Sequence, residues 1–280
     1  MDEYILAIFG LIISIIAAGA SYFLYKKLTK KEVVKKFTSD ISVIELEGSI
    51  GDGLSINLKS LTKDINQLVS DTTKHVIFRI DSCGGDPVES YKIYSYIKRI
   101  QTDYPKAKFH VYGDNLLSGG YLIALAFDTI YANPFGMYGS IGVISKVRDF
   151  DSFMKNLGLD TFTVKSGSLK EIITDGEFSY ASSSMMNDYA SHVYDEFKKI
   201  MVKSRGDKLV KCIEYGVIEK AGFLSSADAL KCGLIDFEFD SATAYRYMVK
   251  GNVEEKIVFS YAIKNEKTLP QVILEFLMSF

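Results

Sequence analysis

The 280-residue sequence predicts an α/β protein, layered around a largely parallel sheet and preceded by one N-terminal transmembrane helix. Three observations lead there. From residue 41 onward, apolar runs with strand spacing alternate with runs at helical spacing. Residues 4–25, YILAIFGLIISIIAAGASYFLY, carry no charged side chain. Two strand-like runs end in glycine pairs, DSCGGD (81–86) and LLSGGY (116–121), that lead into helical segments.

The elements follow in order. The uncharged run at 4–25 is long enough to cross a hydrocarbon core of ~30 Å as a helix, so residues 1–25 read as an anchor. A cleaved signal peptide would have a shorter apolar region and a basic start, whereas this chain begins MDEY. Lys26, Lys27, Lys30, Lys31, Lys35 and Lys36 follow the run and no lysine precedes it. The positive-inside rule then makes this a single-pass membrane protein whose remainder is cytoplasmic, with the periplasmic or other extracytoplasmic face as the alternative. Residues 26–40 form a basic juxtamembrane linker, either simply solvated or touching anionic headgroups.

A globular domain spans 41–250. ISVIELEGSI (41–50) alternates like a strand, and 56–70 has helical spacing. HVIFRID (75–81) is a strand, followed by a helix over 87–101 with Asp86 as cap, Pro87 in the first turn and Glu89 three residues after the cap. KFHVYG (108–113) is a strand, 118–127 a helix, and DTIYAN (128–133) and SIGVIS (140–145) are short strands. A helix at 149–158 stops at Gly158, and DTFTVKSG (160–167) is a strand. The later part is helical at 182–204, 207–215 and 226–233. Residues 251–280 form a C-terminal extension whose apolar tail, TLPQVILEFLMSF, could pack on the domain, join a subunit interface or touch the membrane.

Composition narrows the function. A net charge of −2 gives no global basic field for nucleic acid. Cys83, Cys212 and Cys232 are odd in number and widely spaced, so they suggest neither a disulfide framework nor a metal site. No cofactor motif is present, since neither glycine pair belongs to G-x-x-x-x-G-K-[ST].

The chemistry sits in the glycine turns. Ser118, before Gly119 and Gly120, has the setting of a nucleophile on a strand-to-helix turn, or simply of a helix cap. It is not the G-x-S-x-G elbow, because Leu116 stands where the first glycine would be. If the two strands neighbour each other, one N–H from Gly85 and one from Gly119 could form an oxyanion hole. A serine also needs a base. His75 and His110 fall in strands and His192 in the late helical segment, which argues against a Ser-His-Asp triad. Lys170, flanked by Leu169 and Ile172, is the other candidate, although spacing alone reads it as a surface lysine. A lysine base must lose its charge near neutral pH, and burial provides that.

Taken as a set, the motifs resemble the signal peptide peptidase A family of serine peptidases, in particular its SohB-type members. The family's S-P-G-G is SCGG (82–85) here, and its A-S-G-G-Y-Y-I-A is LSGGYLIA (117–124). A-D-x-I-x-A-x-P and G-S-I-G-V correspond to FDTIYANP (127–134) and GSIGV (139–143). K-S-G-x-Y-K is KSGSLK (165–170), and A-x-x-x-G-L-V-D is ALKCGLID (229–236). The resemblance runs from about residue 41 to 240, in order.

It implies a ClpP/crotonase-like fold and a serine endopeptidase with a Ser-Lys dyad. Ser118 would be the nucleophile, Lys170 the general base, Ser140 the residue that orients the lysine, and Gly85 and Gly119 the oxyanion donors. Peptide or protein substrates, such as signal-peptide remnants and membrane-protein fragments, and a homo-oligomeric ring are implied as well, with the lysine coming from the same or a neighbouring chain. A catalytically silent membrane scaffold is the alternative. Two positions depart from the family pattern. Cys83 replaces a proline, which frees a φ angle in the turn, and Leu169 replaces a tyrosine.

Overall fold

The computed structural model describes residues 40–147, 150–159, 162–167, 169–171, 173–174, 177–209 and 220–249. The expected anchor, nearly all of the linker, Cys212 and the apolar tail lie outside these residues. Among the described residues no helix is long and apolar enough to cross a membrane.

Strands β1 (Ile41–Glu47), β2 (His75–Ser82), β3 (Lys108–Leu117), β4 (Ile130–Ala132) and β9 (Phe237–Glu238) lie side by side in that order, every pair parallel. The helices α1 (Leu58–Leu68), α2 (Pro87–Asp103) and α3 (Gly119–Ala124) make the crossovers between the first four strands. β5 (Met137–Gly139) continues from the end of β3 as a parallel partner and pairs antiparallel with β8 (Phe223–Ser225). The expected α/β architecture with a largely parallel sheet is present.

Burial follows from the strand repeat of two. Val76, Phe78 and Ile80 point to one face of the sheet, where they pack with residues of α1, α2, α3 and α5 (Tyr180–Arg205). Ile77 points to the other face and joins Ile41, Val43, Tyr112 and Tyr131 beneath Ala244 and Met248 of α7 (Ser241–Val249). Strands covered on both faces read as nearly continuous apolar runs, which is the pattern of ISVI and VIF.

Local chemistry sets the helix starts. Asn57 accepts a hydrogen bond from the N–H of Ser60, and Asp86 accepts one from Glu89 with Pro87 in the first turn. Gly233, in the left-handed region at φ 77, ends α6 (Ser226–Cys232). The buried Arg205 at the end of α5 donates to the carbonyl of Gly233 and to the carboxylate of Asp236, both at 2.8 Å. Burial alone would raise the Asp236 pKa, but hydrogen bonds from Arg205, Lys208 and the N–H of Ile130 hold it below the usual range.

Three sequence expectations are corrected. Residues 141–147 are not in a strand, and the strand of that region lies just before them at β5. Residues 162–165 pair with no described strand. Of the helix expected at 207–215 only 207–209 are described, within a 3₁₀ turn at Gly206–Leu209, and 210–215 lie outside the described residues. β3 runs past Gly113 to Leu117, because a register shift at Ile80/Asp81 lets pairing with β2 continue. The short α4 (Asp151–Asn156) and the hairpin of β6 (Ile173–Thr174) and β7 (Glu177–Phe178) complete the elements of the described residues.

Candidate active site

β3 delivers Ser118 to the C-terminal edge of the sheet, where ligands of open α/β folds bind. Ser118 has φ 50 and ψ −120, a conformation that costs an L-residue roughly 1–3 kcal/mol. Backbone bonds on both sides enforce it. The Ser118 N–H donates to the carbonyl of Gly139 at 2.8 Å, and its carbonyl accepts from Leu122 at 3.0 Å. Its hydroxyl makes no capping bond, so the helix-cap alternative does not describe it.

Ser140 follows β5 as Ser118 follows β3, and Leu117 pairs with Gly139 across the two strands. The two serines therefore leave adjacent strand ends. Ser140 also has φ 50, and its N–H donates to the carbonyl of Gly222 at 2.8 Å. Among the described residues only Ser118, Ser140 and Ala221 combine a side chain with positive φ. All three line one cavity of about 500 Å³. Backbone strain gathered at one cavity is a sign of function.

The first glycine turn borders the same cavity. Gly85 pairs with Ile50 as a parallel bridge. That bridge uses the Gly84 carbonyl (3.0 Å from the Ile50 N–H) and the Asp86 N–H (2.8 Å from the Ile50 carbonyl). The N–H of Gly85 consequently points away from Ile50. A Cβ at Gly85 would lie 2.1 Å from the Ile50 carbonyl oxygen, so the turn needs glycine. Gly119 opens α3, where a first-turn N–H has no partner within the helix. A Cβ at Gly119 would lie 2.3 Å from the hydroxyl of buried Ser90, which fixes how closely α2 and α3 approach.

Ser118, Ser140, Gly85 and Gly119 thus line one cavity. Lys170 does not join them in the single chain. It is exposed, its N–H donates to the carbonyl of Gly167 at 3.1 Å, and it is not among the residues lining the cavity. Leu169 beside it is 42 % exposed, and Ile172, the other expected apolar flank, lies outside the described residues.

His192, given little weight from sequence, lines the cavity from α5 together with Tyr189 and Glu196. Only tertiary packing reveals which face of that helix meets the sheet edge. His75 and His110 lie at the opposite edge of the sheet, stacked, with ring nitrogens 3.1 Å apart. The cavity is otherwise apolar, with Val88 of α2, Leu122 of α3, and Phe197 and Ile200 of α5, and the exposed Cys83 stands at its border. Among the described residues no group of three or more His, Cys, Asp or Glu could hold a metal ion.

A parallel α/β sheet with a strained serine at its C-terminal edge, facing paired glycine turns, has the layout of a hydrolase of the acyl-transfer type. Comparison with known proteins is more specific. The profile of peptidase family S49 matches residues 105–254, more than half of the chain. The chain belongs to peptidase family S49. The resemblance to signal peptide peptidase A and SohB-type peptidases is thereby borne out.

Among similar proteins, the putative protease SohB of Buchnera aphidicola is 26 % identical over 258 residues, covering 88 % of this chain and 71 % of that protein. The Na(+)/H(+) antiporter NhaA of Brucella abortus is 32 % identical over 168 residues, covering 56 % of this chain and 23 % of the antiporter, so the chain spans less than a quarter of that relative's length. A solved structure, the 1510-N membrane-bound stomatin-specific protease in complex with a substrate peptide, aligns with a TM-score of 0.48 at 14 % identity, covering 87 % of this chain and 99 % of that one.

Proposed function

We propose that this protein is a membrane-anchored serine endopeptidase of ClpP/crotonase-like fold that hydrolyses peptide bonds through a Ser-Lys dyad. The observation that carries the reading is the pair of strained serines, Ser118 and Ser140, lining one cavity with Gly85 and Gly119. Membership of peptidase family S49 supports the reaction class.

In this reading neutral Lys170 accepts the proton of the Ser118 hydroxyl as its oxygen attacks the substrate carbonyl. The oxyanion develops against the N–H groups of Gly85 and Gly119, and donors so placed contribute roughly 3–4 kcal/mol each. The lysine then protonates the leaving amine, and water releases the acyl group from Ser118. Ser140 orients the lysine amine. Because Lys170 does not line the cavity in the single chain, it reaches Ser118 in the assembled homo-oligomer, from the same or a neighbouring copy. The substrate strand lies along the glycine turn, and apolar walls favour small or apolar residues at the cut. Signal-peptide remnants and membrane-protein fragments have that chemistry. The run at 4–25 anchors the enzyme, with the domain on the cytoplasmic side.

A second reading rests on His192, which already lines the cavity and would serve as base in place of Lys170. Cleavage of fluorescent casein by the full chain in detergent separates the readings. Loss of activity in Ser118→Ala and Lys170→Ala with retention in His192→Ala supports the dyad. Retention in Lys170→Ala with loss in His192→Ala transfers the role of base to the histidine. Full activity in Ser118→Ala removes both.

A further inference from the structure

We propose that Ser82 is a positioning residue of the oxyanion site, setting the direction of the Gly85 N–H through its hydroxyl. The proposal rests on the reading of Gly85 as an oxyanion donor.

Ser82 ends β2 and is buried. Its hydroxyl carries one proton, and its two bonds use it in complementary ways. It donates to the carbonyl of Gly48 at 2.7 Å and accepts from the N–H of Gly84 at 3.1 Å. Gly48 is tied back in turn, its N–H donating to the carbonyl of Asp81 at 2.9 Å. The turn at Gly84 and Gly85 is thus held at two places. Ile50 grips it through the Gly84 carbonyl and the Asp86 N–H, and Ser82 grips it through the Gly84 N–H.

The same residue touches the second turn. A Cβ at Gly120 would lie 2.9 Å from the carbonyl oxygen of Ser82 and 3.0 Å from its Cβ. Ser82 therefore sits between the loop after β1, the glycine turn after β2 and the turn that carries Ser118. Cys83, the next residue, is exposed and has no ring to fix φ. The Ser82 hydroxyl supplies the restraint that the side chain of Cys83 does not.

Without that hydroxyl the Gly84 N–H loses its acceptor, the Cys83–Gly84 peptide is released, and the glycine pair that carries the Gly85 N–H is left to the Ile50 bonds alone. An N–H that meets charge only in the tetrahedral state affects kcat and leaves substrate binding unchanged. Misplacing such a group by about 1 Å costs up to about 10²-fold.

The test uses the full chain in detergent, a fluorogenic peptide with leucine at the scissile position, and two inhibitors: the tripeptide aldehyde ending in leucine and its alcohol. The aldehyde adds to Ser118 and places an oxyanion in the hole, whereas the alcohol binds without one. Ser82→Ala is expected to lower kcat about 10- to 100-fold with KM within about twofold. It is also expected to weaken the aldehyde by a similar factor while leaving the alcohol unchanged. Should Ser82→Ala fail to fold, Ser82→Cys is read the same way, because a thiol keeps the volume but bonds weakly. Unchanged kcat, or equal losses for aldehyde and alcohol, overturns the proposal. Ser118→Ala is run in parallel. If it cuts at the wild-type rate, the nucleophile reading itself fails; if it is inert while Ser82→Ala keeps full kcat, only the role of Ser82 fails.

Discussion

The backbone N–H of Ser118 donates to the carbonyl of Gly139, the residue before Ser140, so two strained serines are locked in register across neighbouring strands. In the proposed mechanism one attacks and the other holds the base. Ser140→Ala keeps the backbone register and removes only the hydroxyl. Steady-state assays are expected to show kcat lower by about tenfold or more, with the midpoint of thermal unfolding nearly unchanged.

Gly84 lies directly beneath the nucleophile. A Cβ there would stand 2.8 Å from the Cβ of Ser118 and 3.0 Å from the Gly119 nitrogen, and Gly84 has φ 102. Gly84→Ala is expected to cost about 1–3 kcal/mol in urea unfolding. Its activity is expected to fall further than the loss of folded protein explains, because the added methyl displaces Ser118.

Asp236 neutralises a guanidinium that has no access to water. The Arg205 side chain is fully buried, and Asp236 also accepts from Lys208 and from the N–H of Ile130. Asp236→Asn leaves that buried charge without its counter-ion, and chemical denaturation is expected to show a loss of about 3–5 kcal/mol. Because hydrogen bonds hold the Asp236 pKa below its ordinary value, the pair contributes above the usual carboxylate range and is lost only at more acidic pH.

The stacked histidines make stability fall on mild acidification. Burial pushes the His110 pKa down to about 4, with His75 and Lys108 adding to it, and burial lowers His75 too. The unfolded chain takes up these protons near 6.5, so the folded state binds fewer protons below that pH. Stability is complete above about pH 6.5 and is lost as pH falls toward 4. For His110 alone the loss between pH 7 and 5 is on the order of 2 kcal/mol. Urea midpoints at the two pH values check this, and His110→Gln is expected to flatten the difference.

Much of the fold was legible because its signals are local. The alternation of ISVI and VIF with helical runs gave the parallel sheet, and Asp86, Pro87 and Gly233 marked helix ends where the structure has them. SIGVIS misled because Ile141 packs into the core while Val143 and Ile144 line the cavity, and none of them has a ladder partner among the described residues. Within the site, the glycine pairs pointed to Ser118, Gly85 and Gly119, since such turns carry their own conformational requirement in the sequence. His192 on the cavity wall and Ser82 among three turns were hidden, because their positions depend on strands and helices distant in the chain.

Fluorophosphonate labelling followed by peptide mapping tests whether Ser118 is a nucleophile activated by Lys170. One adduct is expected, on Ser118, formed by the full chain and formed at least about 10³-fold more slowly in Lys170→Ala. An adduct on another residue, or labelling of Lys170→Ala at the wild-type rate, would contradict it.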